Sequence, residues 1–210
     1  MRLAYSPDMG FATVDPEVAR ICEQTAMRCA EAGAVVEQVE LGWKDPYDAW
    51  KVFFYGGSAA RLGRIVAEQG HLLDPGLRAC VEEAVTLSVL DYSDALAGRN
   101  EFWHQVRTVY ESFDVLLTPT LPVLPFPVGQ DNADPFPGKP QGELQWTQFT
   151  YPINLTGQPA ANVPAGWTGE NLPVGLQVIG RRFNDRTVLR VARAIEQLQP
   201  WSDRWPELSL

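Results

Sequence analysis

Two spacings alternate along this chain. Leu3-Ala4-Tyr5 is a short apolar run of the kind a strand uses. Asp15 then reads as an N-cap, with Pro16 at the first helical position and Glu17 in the first turn, where an acid suits the helix dipole. Val18, Ile21, Cys22, Thr25, Ala26 and Cys29 follow at helical spacing. Gly33 stands where a glycine closes a helix, and Ala34-Val35-Val36 opens a second strand ending near Leu41. A helix joining two strands so closely predicts a parallel pair.

Asp45-Pro46 and Asp74-Pro75 repeat the cap-then-proline signal and predict helices over 46–68 and 75–88. A third, long helix is expected over 91–112, with Leu96, Phe102, Trp103, Val106, Val109 and Tyr110 among its apolar positions. Phe113 to Thr118 is a continuous apolar run, suited to a strand covered on both faces. Residues 119–142 carry prolines at 119, 122, 125, 127, 135, 137 and 140, which predicts a surface loop. A short helix around 146–155, strands at 160–163 and 174–179, and a helix capped by Asn184 complete the chain. The order is α/β: 1–41 strand–helix–strand, 45–112 helical, and 113–210 strands, proline-rich loop and last helix.

Composition narrows the function classes. The 210 residues are 45% apolar, with seven Trp, six Tyr and nine Phe, ample for a core. The net charge of −9 argues against a general nucleic-acid or membrane-surface binder, since both attract basic patches. No run approaches the roughly 20 apolar residues that cross a bilayer. The first residues lack an export pattern, so a cytoplasmic location is expected. Cys22 and Cys29 lie about two helical turns, roughly 10 Å, apart, too far for a disulfide. The three cysteines read as small buried hydrophobes.

Catalytic constellations are hard to assemble. His71 and His104 are the only histidines, and neither flanks a nucleophile-elbow pattern. The lysines are Lys44, Lys51 and Lys139, with no Ser-x-x-Lys. Gly56-Gly57-Ser58 sits in a helical context and reads as small residues packing closely against a neighbour. Glu82-Glu83 reads as a solvated helix face. No ligand spacing for a metal and no phosphate-binding glycine loop occurs, so no metal and no cofactor are expected.

Four segments carry a resemblance. RLAYSPDMGFATVDPEV (2–18), FDVLLTPTLP (113–122), FTYPINLTGQPAANVPAG (149–166) and NLPVGLQVIGRRFNDRTVL (171–189) occur in the order and spacing of the C-terminal half of amidase signature enzymes. The resemblance runs from residue 2 to about 206. It implies a mixed β-sheet flanked by helices and the hydrolysis of carboxylic amides to acid and ammonia or amine. In the family a serine nucleophile, a second serine in a cis peptide and a lysine form the catalytic triad. They lie in a serine- and glycine-rich segment of the N-terminal half, which nothing here matches, so no catalytic residue is assigned.

The resemblance further implies that 1–210 is part of an amidase domain, inactive alone and completed by an N-terminal half as a separate chain. A non-catalytic scaffold module, or a truncated remnant, is the rival reading. A third is a stand-alone α/β enzyme using His104 or His71. Trp146, Thr147, Phe149, Asn154 and Gly157 are the candidate substrate-pocket residues. The glutamine-dependent amidotransferases of the family carry an acid where Thr147 falls, which argues for a small neutral or apolar amide over glutamine. A halved sheet leaves an unpaired edge, so self-association is also expected.

Overall fold

The computed structural model describes residues 1–129 and 145–204. The proline-rich loop thus lies outside the described residues from 130 to its end at 142, as does the stretch of the resemblance beyond 204. The strands are β1 (Arg2–Tyr5), β2 (Val35–Gln38), β3 (Val115–Pro119), β4 (Ala160–Trp167) and β5 (Pro173–Gly180). They form one sheet in the order β2-β1-β3-β5-β4. β1 runs parallel to β2 and to β3, whereas β5 is antiparallel to β3 and β4. The sheet is therefore mixed, and its direction of pairing changes between β3 and β5.

Helices α1 (Pro16–Arg28) and α6 (Asp185–Leu198) cover one face. Strand alternation decides which side chains meet them: Leu3 and Tyr5 of β1, Val115 and Leu117 of β3, Leu176 and Val178 of β5. They pack with Val18, Ile21, Val188 and Ile195 from the two helices. Full burial of such a side chain contributes roughly 1.5–3 kcal/mol. The opposite face presents Leu116, Thr118, Gln177 and Ile179, all buried. There Tyr110 Oη donates to the Ile179 carbonyl oxygen, 3.3 Å away.

The remaining helices are α2 (Tyr47–Gln69), α3 (Pro75–Ala84), α4 (Val89–Val109) and the short α5 (Tyr151–Thr156). The chain divides into two compact units, Met1–Trp43 with Arg107–Leu210, and Lys44–Val106. The second is α2, α3 and most of α4. Its core includes Tyr47, Trp50, Tyr55, Val81 and Phe102.

Several boundaries differ from expectation for local reasons. α3 stops at Ala84, not 88, because Ser88 caps α4. Asp91 accepts from the Ser88 N–H and hydroxyl, both at 2.7 Å, while Ser88 Oγ accepts from the Asp91 N–H. These bonds hold the Asp91 carboxyl below its ordinary pKa. α5 starts at Tyr151, preceded by a single tight turn over Gln145–Thr147. Pro152 has no N–H to continue a helix from Gln148. Asn184 occupies the N-cap of α6, but its Oδ1 accepts from the Thr187 hydroxyl and not from a backbone N–H.

The glycine pair of α2 also departs from expectation. Among the described residues, and apart from its chain neighbours and its own helix backbone, no atom lies within 4 Å of a Cβ built on Gly56, and only the Arg61 side chain approaches one on Gly57. Ser58 alone is packed there, its hydroxyl donating to the Phe54 carbonyl at 2.8 Å.

Candidate functional site

Parallel β1 and β3 end on the same side of the sheet, next to the reversal of direction at β5. In open α/β sheets, ligands bind outside the carboxyl ends of the parallel strands. The loop leaving β1 is tightly shaped. Met9 is fully buried at φ 54, and its N–H donates to Ser6 Oγ. Gly10 follows at φ 91, against the backbone of Gly42 and Trp43.

A buried polar group joins three segments on the face away from α1. Gln177 Nε2 donates to Thr118 Oγ1 at 3.2 Å and to the Phe149 carbonyl oxygen at 2.9 Å. Gln148 Oε1 accepts from the Thr13 N–H. The segment before α5 is thus tied to β3, to β5 and to the β1–α1 loop. Buried amides satisfied in this way fix geometry, because leaving one unpaired is costly.

One step toward the strand ends, the same face opens into a cleft of about 460 Å³. Leu121, Val123 and Phe126 come from the segment after β3, Trp146 from the turn before α5, and Pro164 and Val174 from the strands. The Phe126 and Trp146 rings meet edge to face at 6.1 Å. Two polar side chains share the lining: Thr120 Oγ1 donates to Asn162 Oδ1 at 2.6 Å. Among the described residues, no ionisable side chain lines this cleft.

Of the candidate pocket residues, Trp146 lies in the cleft. Thr147 is half-buried, and its carbonyl accepts from the Thr150 N–H and hydroxyl. Phe149 is fully buried. Asn154 is exposed on α5, and Gly157 closes that helix at φ 74. The structure therefore does not bring these five together. It adds Phe126 and Thr120, from the proline-rich loop expected over 119–142, and Asn162, which carried no sequence signal.

Other chemistry lies elsewhere. Lys51 pairs with Glu83 at 2.7 Å, and His71 and His104 are exposed. Lys139 is outside the described residues. Burial pushes the Cys22 thiol up to about 12 and Cys29 up to about 11. Both are free and neutral, inert as nucleophiles. Among the described residues no His, Cys, Asp or Glu group is placed to hold a metal ion, and no helix is long and apolar enough to cross a membrane.

The Amidase family model matches residues 1–189. This chain belongs to the amidase family. An acylamidase of Rhodococcus erythropolis is 35% identical over the full length of the chain, which covers 45% of that protein. A Glutamyl-tRNA(Gln) amidotransferase chain of Parvibaculum lavamentivorans is 46% identical over 106 residues, half of this chain and 20% of the relative. A bacterial aryl acylamidase of the amidase signature family superposes with a TM-score of 0.82 at 27% identity, over 96% of this chain and 44% of that one. The amidase chain described here thus spans about half the length of relatives it matches end to end. A 6-aminohexanoate cyclic dimer hydrolase, at 23% identity and a TM-score of 0.82, shares the fold.

Proposed function

We propose that this chain is the C-terminal part of an amidase that hydrolyses a small, neutral, apolar carboxylic amide to acid and ammonia or amine. The single observation that carries the reading is the end-to-end similarity to an acylamidase. The neutral, aromatic-walled cleft supports the choice of substrate class. Trp146 is the wall residue of that pocket; Thr147, Phe149, Asn154 and Gly157 shape the segment behind it. Thr147, with no charge to hold an α-amino group, favours a plain amide over glutamine.

The serine nucleophile, second serine and lysine come from an N-terminal half acting as a separate chain. The serine oxygen attacks the amide carbon and its proton leaves toward the lysine through the second serine. That proton passes to the amide nitrogen as the C–N bond breaks, so the amine departs and the acyl-enzyme forms, and water then releases the acid and restores the serine hydroxyl. This chain supplies pocket wall and scaffold, and is inactive alone. The partner half and a second copy of the chain compete for its sheet edges, β2 and β4. The acidic balance fits neither nucleic acid nor membrane surface, and the expected location is the cytoplasm.

The test is to mix the purified chain with a candidate N-terminal half and measure ammonia or amine release from simple amides and anilides. Release by the mixture and by neither part supports the reading. Tight association without release would favour a non-catalytic scaffold module. Release by the chain alone, abolished by His104→Ala or His71→Ala, would replace it with a stand-alone enzyme.

A further inference from the structure

We propose that Asn162, held by Thr120, is the specificity residue of the cleft and donates a hydrogen bond from Nδ2 to the carbonyl oxygen of a bound neutral amide. The inference rests on the amidase reading for its ligand class and on geometry for its site.

The pair is built by the sheet. Asn162 on edge strand β4 stands opposite Gln177 of β5, and Pro164 stands opposite Gly175. Thr120 follows β3, and its N–H donates to the Gly175 carbonyl at 2.9 Å. The Asn162 carboxamide lies across Gly175, where a Cβ would collide with it. Gly175 thus provides the space that lets a β4 side chain reach Thr120. The Thr120 hydroxyl occupies Asn162 Oδ1, which fixes the plane of the carboxamide. The Asn162 side chain is exposed, and no hydrogen-bond partner among the described residues takes Nδ2.

The result is one oriented N–H donor group, beside the engaged Thr120 hydroxyl and Gly175, in a lining otherwise made of Leu, Val, Pro, Phe and Trp. Such a site selects a ligand with one neutral acceptor and an apolar body. Among the described residues, a carboxylate would meet no cation there and an ammonium would meet no anion. An anilide fits: its ring lies against Phe126 and Trp146, and its carbonyl meets Asn162.

The experiment titrates the 210-residue chain with acetanilide and with N-ethylaniline, which keeps the ring but lacks the carbonyl. The readouts are tryptophan fluorescence and the side-chain amide signals of ¹⁵N-labelled protein. The wild type should bind acetanilide about fivefold more tightly, the scale of one neutral hydrogen bond. Asn162→Leu should abolish that preference while keeping N-ethylaniline binding. Thr120→Val should reduce the preference, and Phe126→Ala should weaken both ligands alike. Acetanilide should also move the Asn162 Nδ2 signals of the wild type, a readout that needs no variant.

Failure of the wild type to bind acetanilide, an equal affinity for the two ligands, or a preference that survives in a folded Asn162→Leu would each overturn the proposal. Amide hydrolysis by the mixed halves without this preference would sink the role of Asn162 and leave the amidase reading standing. The preference without hydrolysis would do the reverse.

Discussion

The carboxamide of Gln177 lies 2.9 Å from the carbonyl oxygen of Phe149 and donates to it from the middle of the sheet. The same nitrogen reaches Thr118 on β3, so one side chain ties two strands to the segment carrying Trp146. Gln177→Leu fills similar space but leaves a buried carbonyl unpaired. It should cost about 1–3 kcal/mol. Urea unfolding followed by circular dichroism measures the loss. Hydrogen exchange should show faster exchange at 148–154 than in α6. Protection unchanged in that segment would mean the bond does not hold it.

Asp15 closes the start of α1, its Oδ1 accepting from the N–H groups of Glu17 at 2.8 Å and Val18 at 3.3 Å. Asp15→Ala should destabilise by about 1 kcal/mol, and Asp15→Ser should recover most of it. A shift in urea midpoint of the same size for both variants would contradict the capping role.

Gly10 and Gly33 both adopt left-handed backbone, at φ 91 and φ 82. Their surroundings differ. A Cβ on Gly10 would meet Trp43 N at 2.8 Å and Gly42 Cα at 2.9 Å, whereas one on Gly33 meets nothing within 4 Å. Gly33→Ala should cost only the conformational term, about 1–2 kcal/mol. Gly10→Ala should cost clearly more, because backbone must move as well. Equal unfolding midpoints for the two variants would refute the packing argument.

The buried thiols set an alkaline limit. Folding raises the Cys22 pKa to about 12 and the Cys29 pKa to about 11 from an ordinary value of 9.0, by desolvation. Above about pH 9 the unfolded chain releases these protons and the folded chain does not. The stability is thus full below pH 9 and falls as pH rises toward 11–12. Cys22→Ala should flatten the fall, as read from urea midpoints between pH 8 and 10.5. Alkylation of both thiols at pH 8 should be much slower in the native chain than in urea.

Sequence pattern carried the frame well. The capping acids Asp15 and Asp74 accept backbone N–H groups of α1 and α3, Gly33 turns left-handed, and β1 and β2 pair in parallel. What escaped was whatever depends on register across strands. Asn162 stands in an Ala- and Val-rich stretch, and nothing in the linear order shows that it meets Thr120 over a glycine of a third strand. Phe149 lies three residues from Trp146, yet one is in the core and the other in the cleft. The bend between Thr147 and α5 separates them, and spacing alone cannot express it.

The central strand arrives late. β1 pairs with β3 in the register Leu3 with Val115, across more than a hundred intervening residues that include the whole helical unit. During synthesis β1 and β2 emerge with one edge open until residue 119 clears the ribosome. The sheet cannot close in chain order, and its folding is a search over a long loop. Helices α2 to α4, built from local contacts, have time to form first. A slow folding step should therefore belong to the sheet, and it should be shortened by circular permutants that bring β1 and β3 close in sequence.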